Sequence, residues 1–266
     1  LGLEHVARRA NLFSFPLLPS PFPFAILCGL LLGLLLASWP IESTAQADYG
    51  FRFVSIRYGD DGGDVRRRGF RGGAPWSHDW PTAEHNFYEA LERTTKIHVD
   101  GEALVLTLKD DRIFEYPVLY LCEPGYWTMT EEEVENLREY LLRGGFLLFD
   151  DFRGDRELRN MIMEMKRVFP DKDPIEIPPD HAIWGIYYDI DPVEAPSNVS
   201  GGWQGGFTKF DDTYYALFDD NGRMMALANY NQDIGDGWEW PDQNFEDAST
   251  ISFQMGINFV MYALTH

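Results

Sequence analysis

The 266-residue chain carries 43 acidic against 22 basic side chains, a formal net charge of −21. So acidic a balance excludes general nucleic-acid binding, where a basic face supplies most of the affinity, and favours solubility. Of the two cysteines, Cys28 falls in the leading apolar segment, so Cys122 alone remains and excludes an intrachain disulfide or a cysteine metal cluster.

The leading segment, residues 1–47, reads as a cleavable signal peptide. Arg8 and Arg9 supply the basic start, Phe24 to Ala37 an uncharged apolar run, and Ala45-Gln46-Ala47 a small-residue site before Asp48. The run falls short of the roughly 20 residues that a bilayer-spanning helix needs. Stretched from Phe22 to Trp39 it comes closer, so an uncleaved membrane anchor is the alternative. The expectation is an exported domain, residues 48–266, periplasmic or secreted once cleaved.

Along that domain, Phe51 to Tyr58 alternates as a strand does, and the Gly-, Asp- and Arg-rich stretch 59–73 reads as a long loop. Phe87, Leu91 and Thr94 follow a helical stripe after Thr82. Leu104–Leu108 and Pro117–Cys122 are apolar runs of strand length. Thr130-Glu131-Glu132-Glu133 is a capping box, Val134, Leu137 and Leu141 form the buried stripe behind it, and Gly144-Gly145 stops the helix. Phe146–Phe149 is a strand ending at Asp150-Asp151, and Leu158 to Phe169 an amphipathic helix. Thr213–Phe218 and Met224–Tyr230 are strands joined by a turn at Asp219-Asp220-Asn221-Gly222, and Ile251–Leu264 is a closing helix. Strands apolar on both faces, alternating with helices, predict one three-layer α/β domain on a mostly parallel sheet.

In an open parallel sheet, ligands bind beyond the carboxyl ends of the strands. That rule selects Arg57 and Tyr58, the Cys122-Glu123 end, Asp150 and Asp151, and the segment Asp233, Asp236, Trp238 and Glu239. Asp180-His181 adds a histidine beside an acid in an apolar setting. Asp150, Asp151 and His181 are the catalytic candidates, and Asp151, His181 and Asp233 the metal candidates, with a divalent cation as the cofactor such a set would take. Two adjacent Asp at a strand end alternate sides, so only one is expected to face the pocket. The bland readings are a turn for the Asp pair, a core histidine for His181, paired with Asp151, and a glycine-punctuated loop for 233–239. Arg66 to Arg71 reads as a mobile loop. Trp76, His78 and Trp80 form either a sugar-stacking face or a pin holding that loop to the domain. Asn198-Val199-Ser200 fits the glycosylation acceptor pattern, one common by chance.

Arg57-Tyr58-Gly59, Tyr116 to Leu121, and Leu137 through Asp151 together resemble the prokaryotic family known as domain of unknown function 4159. So do Phe169-Pro170, Asp180-His181, Asp233-Ile234-Gly235 with Trp238-Glu239, and Tyr262 to His266. The resemblance implies a class I glutamine amidotransferase-like fold, a flavodoxin-type α/β layer. In those enzymes a Cys nucleophile sits in the turn after the strand equivalent to Phe146–Phe149. Here that turn is Asp150-Asp151-Phe152, so amidotransferase chemistry is not expected. The leading functional expectation is a non-catalytic domain binding a small-molecule, polysaccharide or protein partner. The alternative is a metal-dependent hydrolase using Asp150 or Asp151, His181 and the 233–239 segment.

Overall fold

Short apolar segments separated by helices have one economical solution, a sheet buried on both faces, and the chain adopts it. The computed structural model describes residues 50–52, 54–59, 73–192, 213–242 and 246–266. The strands are β1 (Val54–Ile56), β2 (Leu104–Leu106), β3 (Val118–Cys122), β4 (Phe146–Phe152), β5 (Ile175–Glu176), β6 (Thr213–Phe218) and β7 (Met224–Tyr230). They form one sheet in the order β2-β1-β3-β4-β7-β6-β5. The β2-β1-β3-β4-β7 part is parallel, and β6 runs antiparallel beside β7 and β5. The order reverses between β1 and β3, the topological switch point where a cleft opens beyond the strand ends. The expected mostly parallel α/β architecture is present.

Five helices, among the described residues, cover the sheet: α1 (Thr82–Thr94), α2 (Glu131–Leu142), α3 (Gly154–Val168), α4 (Ile234–Glu239) and α5 (Glu246–Thr265). The strand side chains sort the helices into two layers. Val118, Tyr120, Cys122, Phe146 and Leu148 share a core with α1, α4 and α5, through Phe87, Leu91, Trp238 and Phe259. Leu119, Leu121, Leu147 and Phe149 share the other with α2 and α3, through Leu137, Leu141, Met161 and Met165. None of these helices is long and apolar enough to cross a membrane. Residues 1–47, the Arg66–Arg71 stretch and Asn198 lie outside the described residues.

Local chemistry accounts for the best-written elements. The capping box at α2 forms as expected: Thr130 Oγ1 accepts from the Glu133 amide, and Glu133 Oε2 accepts from the Thr130 amide at 2.8 Å. Beyond the helix end, Gly144 takes φ +108°, where a side chain would be strained. Asp219 Oδ1 accepts from the amides of Asn221 and Arg223, closing the turn before β7.

Two departures shape the site. β4 does not stop at Phe149 but runs through both aspartates to Phe152. Segment 233–239, expected as a loop, contains α4, with Asp233 Oδ1 capping it by accepting from the Asp236 amide at 2.9 Å.

Candidate functional site

The carboxyl ends of β3, β4 and β7 meet the start of α4 and the turn before α1, and together they hold a buried acidic cluster. Its centre is a bulge in β4. Against β7 the register runs Phe149↔Ala228 and then Phe152↔Tyr230, so β4 carries one residue more than its partner. The extra residue is Asp151, in the left-handed region at φ +53°. Strict alternation would have turned Asp151 into the core beneath α2 and α3. The bulge leaves that core to Phe152 and keeps both aspartates on the α1 and α4 side. The expectation that only one would reach the pocket is therefore corrected, because the extra residue resets the pleat.

The two carboxylates do different work. Asp150 is saturated. It accepts from the Tyr120 hydroxyl at 2.9 Å, from Asn229 Nδ2 at 3.1 Å, and from the amides of Ile234 at 3.3 Å and Gly235 at 2.9 Å. Burial pushes its pKa up to about 6 against those donors. Asp150 thus ties three elements together and has no lone pair to spare for a base. Asp151 faces the charges. Its Oδ2 lies 2.6 Å from His78 Nδ1, and its Oδ1 accepts from the Arg153 guanidinium. Burial alone would raise its pKa, but Arg153 and His78 outweigh that and hold it well below the carboxylate range.

Arg153 also donates to Asp233 Oδ2 at 3.0 Å, so one cation serves two buried acids. Burial, and then the neighbouring Asp151 and Asp236, push Asp233 well above its ordinary value. His78, through its bond to Asp151, is raised to about 9 and is a cation at neutral pH. Its Nδ1 also lies 3.7 Å from Asp79 and 3.9 Å from Glu123. Glu123 is pushed up to about 8 by burial and by Asp151.

Asp79 is the unsatisfied member. The residue is 5% exposed, and neither carboxylate oxygen has a hydrogen-bond partner. Burial, and then Asp233 and Asp236, raise it well above its ordinary value. Gly235 makes room for it: a Cβ there would come within 2.5 Å of Asp79 Oδ2. Among the described residues, four non-glycine residues have positive φ, namely Asp79, Glu123, Asp151 and Asn231. All four lie at this edge. Asp and Asn tolerate the left-handed region best, yet each still costs about 1 kcal/mol or more, and such strain concentrates where a site demands it.

The other sequence candidates separate cleanly. Tyr58 is buried and its hydroxyl bonds the carbonyls of Cys122 at 2.9 Å and Glu123 at 2.7 Å, pinning two strand ends beneath the site. Arg57 is exposed, and Arg153 is the countercharge of the cluster. Trp238 is 1% exposed and packs on Phe87 at 4.5 Å, with its indole donating to the Ser252 carbonyl. It is core rather than a stacking surface. Glu239 is half-buried and adds to the field that raises Asp79.

His181 and Asp180 are not in the cluster. His181 packs its ring on Phe218 and Tyr262, and its Nδ1 accepts from the Ile183 amide. Phe218 pairs with Met224 at the start of β7, and Tyr262 meets Phe146 at the start of β4. That is the amino edge of the parallel strands, opposite Asp151, so the expected Asp151–His181 pairing is corrected and the Asp151, His181 and Asp233 metal set is not assembled. Burial lowers the His181 pKa, as fits a neutral core ring. Asp180 is exposed.

His78 is the histidine that reaches the acids. Sequence reading placed it in a stacking face or a pin. Trp76 packs on the core beside it, and the loop that these residues were expected to pin lies outside the described residues. Asp79 was missed altogether, although His78-Asp79 repeats in reverse the dipeptide pattern that drew attention to Asp180-His181.

Cys122 sits alongside, its Sγ 3.9 Å from Asp151 Oδ2. Burial, and then Asp151 and Asp79, push its thiol well above the ordinary value. An activated nucleophile needs the opposite shift. The arrangement suits holding a positive charge rather than generating a thiolate. A search of curated proteins gives no match. The chain belongs to the family described as a domain of unknown function (DUF4159), whose model matches residues 52–264.

Proposed function

We propose that the domain is an exported, non-catalytic binding module of amidotransferase-like fold whose carboxyl-edge pocket receives a small positively charged ligand. The observation that carries this reading is the Asp79 carboxylate, buried with neither oxygen hydrogen-bonded and flanked by Asp151, Asp233 and Asp236. Arg153 and His78 offset Asp151 and Asp233, and further carboxyl groups remain beyond those two cations. Burying a carboxylate without a partner costs several kcal/mol unless it is protonated or meets a cation. A pocket kept strained and under-compensated is the expected form of a receptor for the missing charge.

The fold part of the reading draws on the doubly wound strand order, and the non-catalytic part on Asp151 standing where an amidotransferase nucleophile would be. Export rests on the signal pattern of residues 1–47. N-terminal sequencing of protein from the periplasm or medium should begin at Asp48, and recovery only of uncleaved chain in membranes would replace export by anchoring.

The binding part is tested by thermal midpoints at pH 8 against a millimolar panel of zinc, manganese, calcium, methylammonium, methylguanidinium and spermidine. At 100 times its Kd a ligand of the folded state adds about 2.7 kcal/mol, or about 5–10 °C for a domain of this size. At least one cation should give that shift, saturably, with the shift lost in Asp79→Asn and kept in Asp180→Asn. If no cation moves the wild-type midpoint, the reading fails.

A further inference from the structure

We propose that His78, Asp79 and Asp236 form a binding site for a divalent transition-metal ion of the zinc class; this rests on the pocket being a cation receptor and names its ligand. One ligand atom from each residue lies within 4.8 Å of the other two. Ligands about 2.1 Å from a tetrahedral ion stand roughly 3.4 Å apart, so side-chain adjustments of about 1 Å close the set. A second set of the same compactness, His78, Cys122 and Asp151, shares the histidine.

An acidic cluster alone would not indicate a ligand. The independent observation is Asp79, with its side chain 2% exposed and both oxygens unpartnered within the cluster. Gly235 reinforces it, because the absence of a side chain there is what lets that carboxylate approach. Asp150 has four donors, and Asp233 caps α4 while meeting Arg153. Glu123 Oε2 and Asn229 Oδ1 also lack hydrogen-bond partners at this edge, but among the buried side chains of the described residues only Asp79 has both carboxylate oxygens without one.

Donor chemistry selects the ion. An imidazole nitrogen with carboxylate oxygens suits zinc, whereas calcium takes six to eight oxygens, more than the two carboxylates of this set offer. Asp151 already bonds His78, which matches the carboxylate–histidine support that metal-bound imidazoles usually have. The proton on the other ring nitrogen of His78 would leave as the ion arrives, since a nitrogen ligates only without its proton, while the Nδ1 proton stays on the bond to Asp151.

Equilibrium dialysis of the purified full chain against zinc chloride, read by elemental analysis, tests the proposal. One zinc per chain should bind at micromolar concentration or below, with calcium at least 100-fold weaker. Asp79→Asn and Asp236→Asn should each weaken zinc at least tenfold, and His181→Ala should not. Cobalt substitution supplies a second readout: a visible absorption band of tetrahedral intensity, lost in His78→Gln. Far-UV circular dichroism separates loss of the site from loss of the fold. Absence of stoichiometric zinc, or unchanged zinc affinity in Asp79→Asn, overturns the metal site. If methylammonium or methylguanidinium then still shifts the midpoint in an Asp79-dependent way, the cation-receptor reading stands without the metal.

Discussion

Replacing Arg153 by Met should destabilise the domain by about 3–5 kcal/mol at pH 8, the cost of leaving buried charge without its partner. For a domain of this size that lowers the thermal midpoint by about 10 °C. The guanidinium binds Asp151 and also Asp233 at 3.0 Å, and both carboxylates are 1–2% exposed. Met keeps the aliphatic stem while removing the guanidinium, so the loss is chiefly that of the charge and its hydrogen bonds. The loss should shrink as pH falls, because the raised pKa of Asp233 favours its neutral form, which needs no counter-ion. Arg57→Met, at an exposed position, should cost less than about 1 kcal/mol. Equal effects of the two substitutions would mean that Arg153 is not the countercharge of the cluster.

Much of the scaffold was legible because it is written locally. The Thr130–Glu133 capping box, the Val134, Leu137 and Leu141 stripe and the Gly144 stop all lie within one helix length. The strands at 213–218 and 224–230 were found to the residue, since apolar runs and a turn with Asp219 and Gly222 bound them tightly. β4 was cut short at Phe149 because hydrophobicity ends there, and a bulge made by one extra residue leaves no mark on composition. α4 reads as a loop in the sequence because Gly235 and Gly237 disfavour helix, although Asp233 three residues before Asp236 carries the capping signal.

The site was legible as a place but not as a set. The rule about strand ends selected Asp151, Asp233 and Asp236, which the fold does bring together. His181 is a candidate through its acidic neighbour instead, and its apolar surroundings signal a ring packed between Phe218 and Tyr262 rather than a ligand. The partner of Asp151 is 73 residues away at His78, and no local pattern expresses a pairing across that distance. Asp79 was invisible for a further reason. Its significance is a missing hydrogen bond, and a sequence records donors and acceptors but not their failure to meet.

The carboxyl edge buries more carboxyl groups than His78 and Arg153 offset. This excess has a direct thermodynamic consequence. Asp79, Glu123, Asp150 and Asp233 bind protons more tightly in the folded chain than in the unfolded one. Each contributes stability that is full below the ordinary carboxylate pKa and lost as pH rises through its folded value, about 6 for Asp150 and about 8 for Glu123. His78 adds in the same sense, its contribution full below about 6.5 and lost as pH rises through about 9. Within the cluster Asp151 runs the other way, losing its contribution only as pH falls below the ordinary carboxylate value of about 4. Outside it, the lowered His181 adds an opposing slope only below about 6.5. Between pH 5 and pH 9, therefore, the slopes from the groups of the cluster share one sign. At about 1.4 kcal/mol per unit of pKa displacement, and without summing groups that titrate together, the fall is on the order of 3 kcal/mol. The decisive measurement is the thermal midpoint of metal-free protein at pH 5.5 and at pH 9. It should be about 6–12 °C lower at pH 9, with a smaller difference in Asp79→Asn, whereas a midpoint that is level or rises toward pH 9 would contradict the uncompensated acidic pocket.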